Sequence, residues 1–499
     1  MGVLSRLEPM EVFHFFEEIC GIPHGSGNVG RLSDYLAQFA GNRNLSVTQD
    51  AWKNIMIIKE ATSGYENEPA VILQGHIDMV AVKKPGLRFD LENEGLRLAV
   101  AGDKVYAEGT SLGGDDGIAV AYALALLDSD RYRHPRLEVV LTADEEVGMD
   151  GARAIDLSAL QGKRLLNLDS EEEGVFLASC AGGARVDCFL PLAFSRKEGL
   201  LYEVAVTGLL GGHSGMEIHK GRGNANCLLG RLLWELTRTC GIGIRTGTGG
   251  LADNAIPREA IVTLVIKEEE QELFLRIVKR TESEVKEELG KREPEVAVSV
   301  KPLGNGKEEV RCAADGQAAK CAAFLVSLPD GVQAMSKETA DLVETSLNLG
   351  MFWLEEGGLR VRFAVRSSVE SRKRALIARL EALGWTAGAK LEVTGDYPGW
   401  KYREDSPWRR KMLRVYEAMY GKPPKVEGIH AGLECGLFFG KIQGLDCVSI
   451  GPDMENVHTT EEALRISSVK RVWEFLIRLL EEKEEAAPNP EVKPCRMGK

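Results

Sequence analysis

Residues 70–80, AVILQGHIDMV, and residues 137–147, LEVVLTADEEV, decide the fold. Each is a short apolar run that stops abruptly at His or acidic side chains, which reads as a buried strand delivering polar groups at its end. An apolar helix, Ile118 to Leu127, lies between them, and two further strands follow, RLLNLD (164–169) and VFLASC (175–180). This alternation is α/β punctuation and predicts a mixed, mainly parallel sheet flanked by helices. Polar residues cluster directly after three of the strands. In open α/β sheets the ligand crevice lies outside the carboxyl ends of the strands, so the chemistry is expected there.

Upstream, Val12, Phe15, Phe16 and Ile19 recur at helical spacing, predicting an amphipathic helix over Glu11 to Cys20. The loop after it, GIPHGSGNVG, formally contains GxGxxG from Gly25 to Gly30. A dinucleotide site needs that motif between a strand and a helix, and here a helix precedes it. From about Leu201 the pattern changes: EVAVTG, a helix from Ala225 to Thr239, AIVTLVI, a charged helix near Glu269 to Glu288, and LRVRFAV. At DYPGW the first style returns, with a helix from Trp408 to Met419, the strand CVSIG and a final helix from Ser468 to Leu480. The expectation is a discontinuous catalytic domain (1–187 and 393–484), an inserted α+β domain (188–392) and a charged, Pro-containing tail (485–499) left disordered.

A chain of 499 residues is long for one core, and a hydrophobic fraction of 44% is ordinary for a globular protein. The formal charge of −13 repels phosphate backbones and anionic membranes, which argues against nucleic-acid and membrane partners. No apolar run approaches the roughly 20 residues of a membrane helix. The start, MGVLSRLEPMEVFHFFEEIC, has acidic residues where a signal peptide is apolar, so a cytoplasmic protein is expected. The ten cysteines are scattered without a CxxC pair, which fits reduced thiols and leaves His and carboxylates as the metal ligands.

His76 and Asp78 close the first strand on one side of the backbone, where Asp78 can accept the imidazole proton and leave the other ring nitrogen for a metal; a turn with a capping Asp is the bland reading. In GTSLGGDDGIAVA, one aspartate is explained by helix capping, but Asp115 and Asp116 together after two glycines suit close approach to cations. In LTADEEVGMDG, Glu145 and Glu146 point to opposite sides if the backbone stays extended. One can then ligate a metal while the other acts as a general base; a solvated acidic turn is the alternative. Asp169 ends the next strand, and SIGPDMENVH delivers His458 after another. Two histidines and three carboxylates at strand ends match the donors that paired zinc, manganese or cobalt ions accept.

GHIDMV, GTSLGGDDG, TADEEVGMDG, NLDSEEEG, GGHSG and NAIPREA occur in the order found in the aminoacyl-histidine dipeptidases, di-zinc enzymes related to carnosinase, which this chain resembles from its first helix to about Leu480. ETSLNLG, VRSS, YPGW, IHAGLECG and SIGP belong to the same resemblance. It implies hydrolysis of dipeptides such as β-alanyl-histidine with two divalent ions, zinc first among them. His76 and Asp169 hold one ion, Glu146 and His458 the other, and Asp115 bridges them. Asp78 orients His76, and Glu145 takes a proton from the attacking water and returns it to the leaving amine. In the inserted domain it makes His213 an oxyanion partner, from its own or a neighbouring subunit, with Asn254 and Arg366 on the substrate. Arg366 ends the alternating run LRVRFAV, where a guanidinium can clamp a dipeptide carboxylate or form a surface ion pair. His430 and Glu434 of IHAGLECG are left without a role. A homodimer through the inserted domain is implied as well.

Two departures from the family stand out: Asp116 where Asn is more common, and VHTTEE where Ser-Pro more often follows the histidine. The rival readings are an amidohydrolase removing an acyl group from an amino acid, with the same metal site, and a binding protein that kept the fold and lost the chemistry.

Overall fold

In the computed structural model, which describes residues 2–484, AVILQGH becomes the fully buried strand Val71–His76. It pairs in parallel with Leu137–Thr142 on one side and Arg164–Asn167 on the other. Asp446–Ser449 adds in parallel to Arg164–Asn167. Antiparallel strands Ile55–Lys59 and Ser46–Gln49 extend the other edge, and Val175–Cys180 and Lys425–Ile429 complete eight strands. The parallel centre reads as continuous apolar runs because both of its faces are covered.

The segment Gly114–Asp128 is buried from Gly114 to Leu127, as befits a helix apolar on every side. Helix Met10–Cys20 buries Val12, Phe13, Phe15, Phe16 and Ile19, and Ile466–Glu481 buries Val469, Trp473 and Leu476 in the same cluster. The Trp473 and Tyr122 rings stack with centroids 5.9 Å apart. Helix Pro407–Tyr420 starts where Ser406 caps the Arg409 amide and Pro407 occupies its first position. Gly75 fits between strand and helix only because it lacks a side chain: a Cβ there would lie 2.5 Å from Asp116 Oδ2 and 2.7 Å from Ala119 Cβ. Gly75→Ala is expected to destabilise the metal-free protein by about 1–3 kcal/mol, read as a lower urea midpoint at unchanged slope. An unchanged midpoint contradicts that contact.

Contacts divide the chain into two compact units. Among the described residues the first runs to Ala178 and resumes at Arg403–Glu427 and from Phe438; the second is Ser179–Tyr402 with Gly428–Leu437. The boundaries therefore differ from those expected at 187/188 and 392/393. Strand Gly182–Pro191 ladders along its length with Gly358–Ser367, and Lys390–Tyr397 pairs with it too, so both flanking strands belong to the second unit's sheet. Alternating apolar residues define a strand without saying which sheet it joins. IHAGLECG (429–436) also falls wholly in the second unit.

That unit holds a nine-stranded sheet, antiparallel at each of its described pairings, with helices Ala225–Thr239, Gln271–Leu289, Gly316–Ser327 and Glu370–Ala387. A separate apolar cluster, including Val204, Leu232, Phe274, Leu325 and Phe363, forms its core. Among the described residues no helix is long and apolar enough to cross a membrane. The tail at 485–499 lies outside the described residues.

Candidate metal centre

The carboxyl ends of the parallel strands converge on one acidic cluster within the first unit. His76 is the last residue of its strand and 1% exposed. Asp169 follows Arg164–Asn167, Glu145 and Glu146 follow Leu137–Thr142, and His458 comes from the segment after Asp446–Ser449. Asp115 sits at the amino end of the buried segment Gly114–Asp128, where the Asp115–Asp116 peptide is cis and both residues depart from helical backbone angles.

Asp115 Oδ1 lies 3.1 Å from His76 Nε2, and its other oxygen, Oδ2, lies 3.2 Å from His458 Nε2. One carboxylate thus spans two imidazoles, as a ligand shared by two cations must. Glu146 Oε1 is 2.8 Å from His458 Nε2, and Asp169 Oδ1 is 3.8 Å from His76 Nε2. Three sets of side chains each bring their ligand atoms within 4.8 Å of one another: Asp115, Glu146 and His458; His76, Asp116 and Asp169; and His76, Glu145 and Glu146. Asp116 is buried and accepts the His76 amide at 3.1 Å through Oδ2.

Asp78 does more than face His76. The nearest acceptor for His76 Nδ1 is the Asp78 carbonyl at 2.9 Å, with the carboxylate at 3.5 Å. That carboxylate accepts the amides of Glu145 (2.9 Å) and Glu146 (3.3 Å) and the Ser26 hydroxyl (2.8 Å). Glu145 and Glu146 do not continue an extended strand. Asp144 takes a φ of 55°, and the Gly148 and Met149 amides fold back onto the Glu145 carbonyl. A turn, rather than strand alternation, separates the two acids.

The charges show what the cluster lacks. Five carboxylates meet two imidazoles, and buried charges persist only when paired or bound to metal. Burial opposes the charged form of His76, yet Asp115 and Asp78 hold its pKa well above the usual histidine value. Hydrogen bonds to Asp115 and Glu146 push His458 up to about 10. Burial acts to raise Asp115, but contact with His458 and His76 keeps it below the ordinary carboxylate range. Asp169 is driven well above that range by burial and by the charge on Asp115. A nitrogen-and-oxygen donor set short of positive charge fits divalent ions of the zinc, manganese or cobalt type.

In the second unit, His213 sits in the two-stranded ribbon of Gly212–His213 with Ala255–Ile256. Its Nδ1 accepts the amides of Gly215 (3.3 Å) and Met216 (3.0 Å). Nδ1 is therefore unprotonated and the proton sits on Nε2, which becomes a donor. Burial and the nearby Arg366 hold the ring's pKa below the ordinary histidine value, so it stays neutral. Asn254 is exposed, and its carbonyl accepts the Ser214 amide at 2.7 Å, fastening the loop after His213. Arg366 Nη1 donates to the Tyr397 hydroxyl at 3.3 Å, while its buried Nε has no hydrogen-bond partner among the described residues. His430 Nε2 meets the Ser346 hydroxyl at 2.7 Å, and burial, with Arg366 and His213 nearby, lowers its pKa to about 3. Gly215 lets these groups assemble, since a Cβ there would lie 2.5 Å from the His430 carbonyl and 3.2 Å from Arg366 Nε.

Several participants were not singled out by residue type or spacing: Ser26, Ser346 and Tyr397. Ser26 belongs to the GxGxxG loop, whose observed task is to brace Asp78. The departure at VHTTEE leaves an ordered turn, because the Thr459 hydroxyl donates to the Asn456 carbonyl at 2.7 Å and accepts the Glu461 amide at 3.1 Å.

The profile of Peptidase family M20/M25/M40 matches residues 72–482. The chain is 37% identical to a cytosol non-specific dipeptidase of Escherichia coli (strain K12), over 97% of this chain and 99% of that one. The crystal structure of aminoacylhistidine dipeptidase from Vibrio alginolyticus superimposes with a TM-score of 0.88 and 36% identity, covering 97% of this chain and 99% of that chain. A tripeptidase from Staphylococcus aureus, at TM-score 0.55 and 14% identity over 95% of this chain and 98% of its own, shares the fold. The architecture, the strand-end cluster and these full-length similarities agree: the chain belongs to peptidase family M20/M25/M40.

Proposed function

We propose that this chain is a metal-dependent dipeptidase acting on free dipeptides, Xaa-His such as β-alanyl-histidine among them. The observation that carries the reading is Asp115, whose two oxygens each face a different imidazole. His76 and Asp169 would hold one divalent ion and Glu146 and His458 the other, with Asp115 shared. Zinc is the proposed ion, because these donors suit it, although manganese and cobalt accept the same set. When bound, the ion pair supplies Lewis-acid polarisation of the scissile carbonyl and acidifies the attacking water. Glu145 receives the proton of that water and passes it to the leaving amine, while Asp78 fixes its position by accepting its backbone amide.

The second unit supplies recognition. A neutral His213 with its proton on Nε2 is a donor suited to the oxyanion, from its own chain or a neighbouring subunit. Arg366, with no carboxylate partner among the described residues and an unpartnered Nε, suits the free carboxylate of a dipeptide. Asn254 lies one residue from the ribbon position paired with His213 and contacts substrate in this reading. A cytosolic location, supported by the name of the Escherichia coli relative, and a homodimer through the second unit, supported by the family resemblance, complete the proposal.

The carboxylate role has a direct test. Arg366→Met is expected to raise KM for dipeptides at least tenfold, and dipeptides amidated at the carboxyl end are expected to be equally poor substrates for wild-type and variant enzyme. Unchanged KM for free dipeptides in the variant rules the clamp out.

A further inference from the structure

Glu462, four residues after His458, is 3% exposed although its side chain ends in a carboxyl group. Its two oxygens accept three consecutive backbone amides: Oε2 takes Leu112 (2.9 Å) and Gly113 (3.3 Å), and Oε1 takes Gly114 (2.8 Å). These amides lead into the segment Gly114–Asp128, the one that presents Asp115. No local side chain caps that segment, since its cap position is Gly113 at φ 68°. Buried backbone amides need acceptors, and here the acceptor comes from a residue some 350 positions away. Gly113 is held to glycine by its positive φ, and Gly114 is closely packed. A Cβ on Gly113 would lie 2.7 Å from Met79 Sδ, and one on Gly114 would lie 3.3 Å from Glu462 Oε1. At its own end Glu462 closes a tight turn: its amide reaches the Thr459 carbonyl at 3.3 Å, and the Thr459 amide reaches the Asn456 carbonyl at 3.2 Å, with His458 between at φ 65°.

We propose that Glu462 is a positioning residue that fastens the turn bearing His458 to the loop bearing Asp115, and so sets the spacing on which the binding of both ions depends. The inference rests on the reading of Asp115 and His458 as metal ligands. Charge-assisted hydrogen bonds from three amides to one carboxylate are stronger than neutral ones and fix orientation as well as distance. Metal sites tolerate displacements of only about 0.5 Å, which makes such a tie consequential although Glu462 touches neither imidazole nor ion.

The test is zinc titration of the full-length, metal-stripped protein against a chromophoric chelator, alongside thermal unfolding of the metal-free forms. Glu462→Ala is expected to weaken both zinc dissociation constants together by about 10- to 100-fold, the range found for groups that hold metal ligands in place. Glu462→Gln keeps one oxygen but turns an N–H toward a backbone N–H; it is expected to weaken both by about tenfold, and it carries the test should Glu462→Ala not fold. Glu461→Gln, at an exposed neighbour paired with Lys84, is expected to bind zinc as wild type does. Wild-type affinities in both Glu462 variants overturn the proposal, whether or not the metal-free Tm falls, and so does a weakening confined to one ion. A wild-type protein that binds no pair of ions, or an Asp115→Asn variant that still holds both at normal affinity, removes the metal-centre reading itself and this inference with it.

Discussion

Replacing Glu145 with Gln is expected to leave two ions bound while lowering kcat by about 10²–10⁴-fold, the usual contribution of a positioned general base. That loss corresponds to about 2.7–5.5 kcal/mol of barrier. The substitution keeps the shape of the side chain and the amide that donates to Asp78 at 2.9 Å, so the turn at 144–147 stays in place. What it removes is the ability to accept a proton. The geometry makes this a discriminating experiment, because Glu145 also lies within ligand distance of His76 and Glu146. Loss of metal together with activity would make Glu145 a ligand, and wild-type turnover would remove it from the chemistry.

Asp115→Asn carries the second large effect. The amide retains one oxygen and places an N–H2 where the other stood, so one of the two imidazole-facing positions turns from acceptor to donor while the buried negative charge disappears. Both ions are expected to be lost together on dialysis, with dissociation constants weakened beyond the roughly 10- to 100-fold typical of an outer support. Metal analysis of the dialysed protein checks this. A variant retaining two ions takes the shared ligand out of the account, and one retaining a single ion makes Asp115 a ligand of the other ion alone.

Much of this centre was legible in the sequence because its residues violate the apolar pattern around them. His76, Asp169 and the acids at 145–146 each interrupt or end a run that otherwise belongs in a core, and the parallel order of the strands carries those interruptions to the same sheet edge. The local backbone was harder to read. Adjacent glutamates alternate only on an extended chain, and nothing in ADEEVG announces that Asp144 turns it. Long-range ties left even less trace. In VHTTEE the two final acids look alike, yet Glu461 pairs with Lys84 at the surface and Glu462 is buried against amides some 350 residues away. Ser26 sat inside a glycine-rich loop whose formal motif pointed to nucleotides, and its partner, Asp78, lies in a different segment. Tyr397 and Ser346 were present only as letters in YPGW and ETSLNLG, because a hydroxyl beside a guanidinium or an imidazole has no periodic signature. The unit boundaries moved for the same reason, since a strand's register partner is invisible in its own residues.

Hydrolysis of free dipeptides with two divalent ions is tested by reconstitution. Metal-stripped enzyme is restored with zinc, manganese or cobalt and assayed against a panel of dipeptides, including β-alanyl-histidine, and N-acetyl amino acids. No turnover is expected without metal, turnover of dipeptides is expected on restoring two ions per chain, and little or no cleavage of acylated amino acids is expected. Hydrolysis of N-acetyl amino acids with dipeptides left intact would contradict that expectation and make the chain an acyl-amino-acid hydrolase built on the same metal centre.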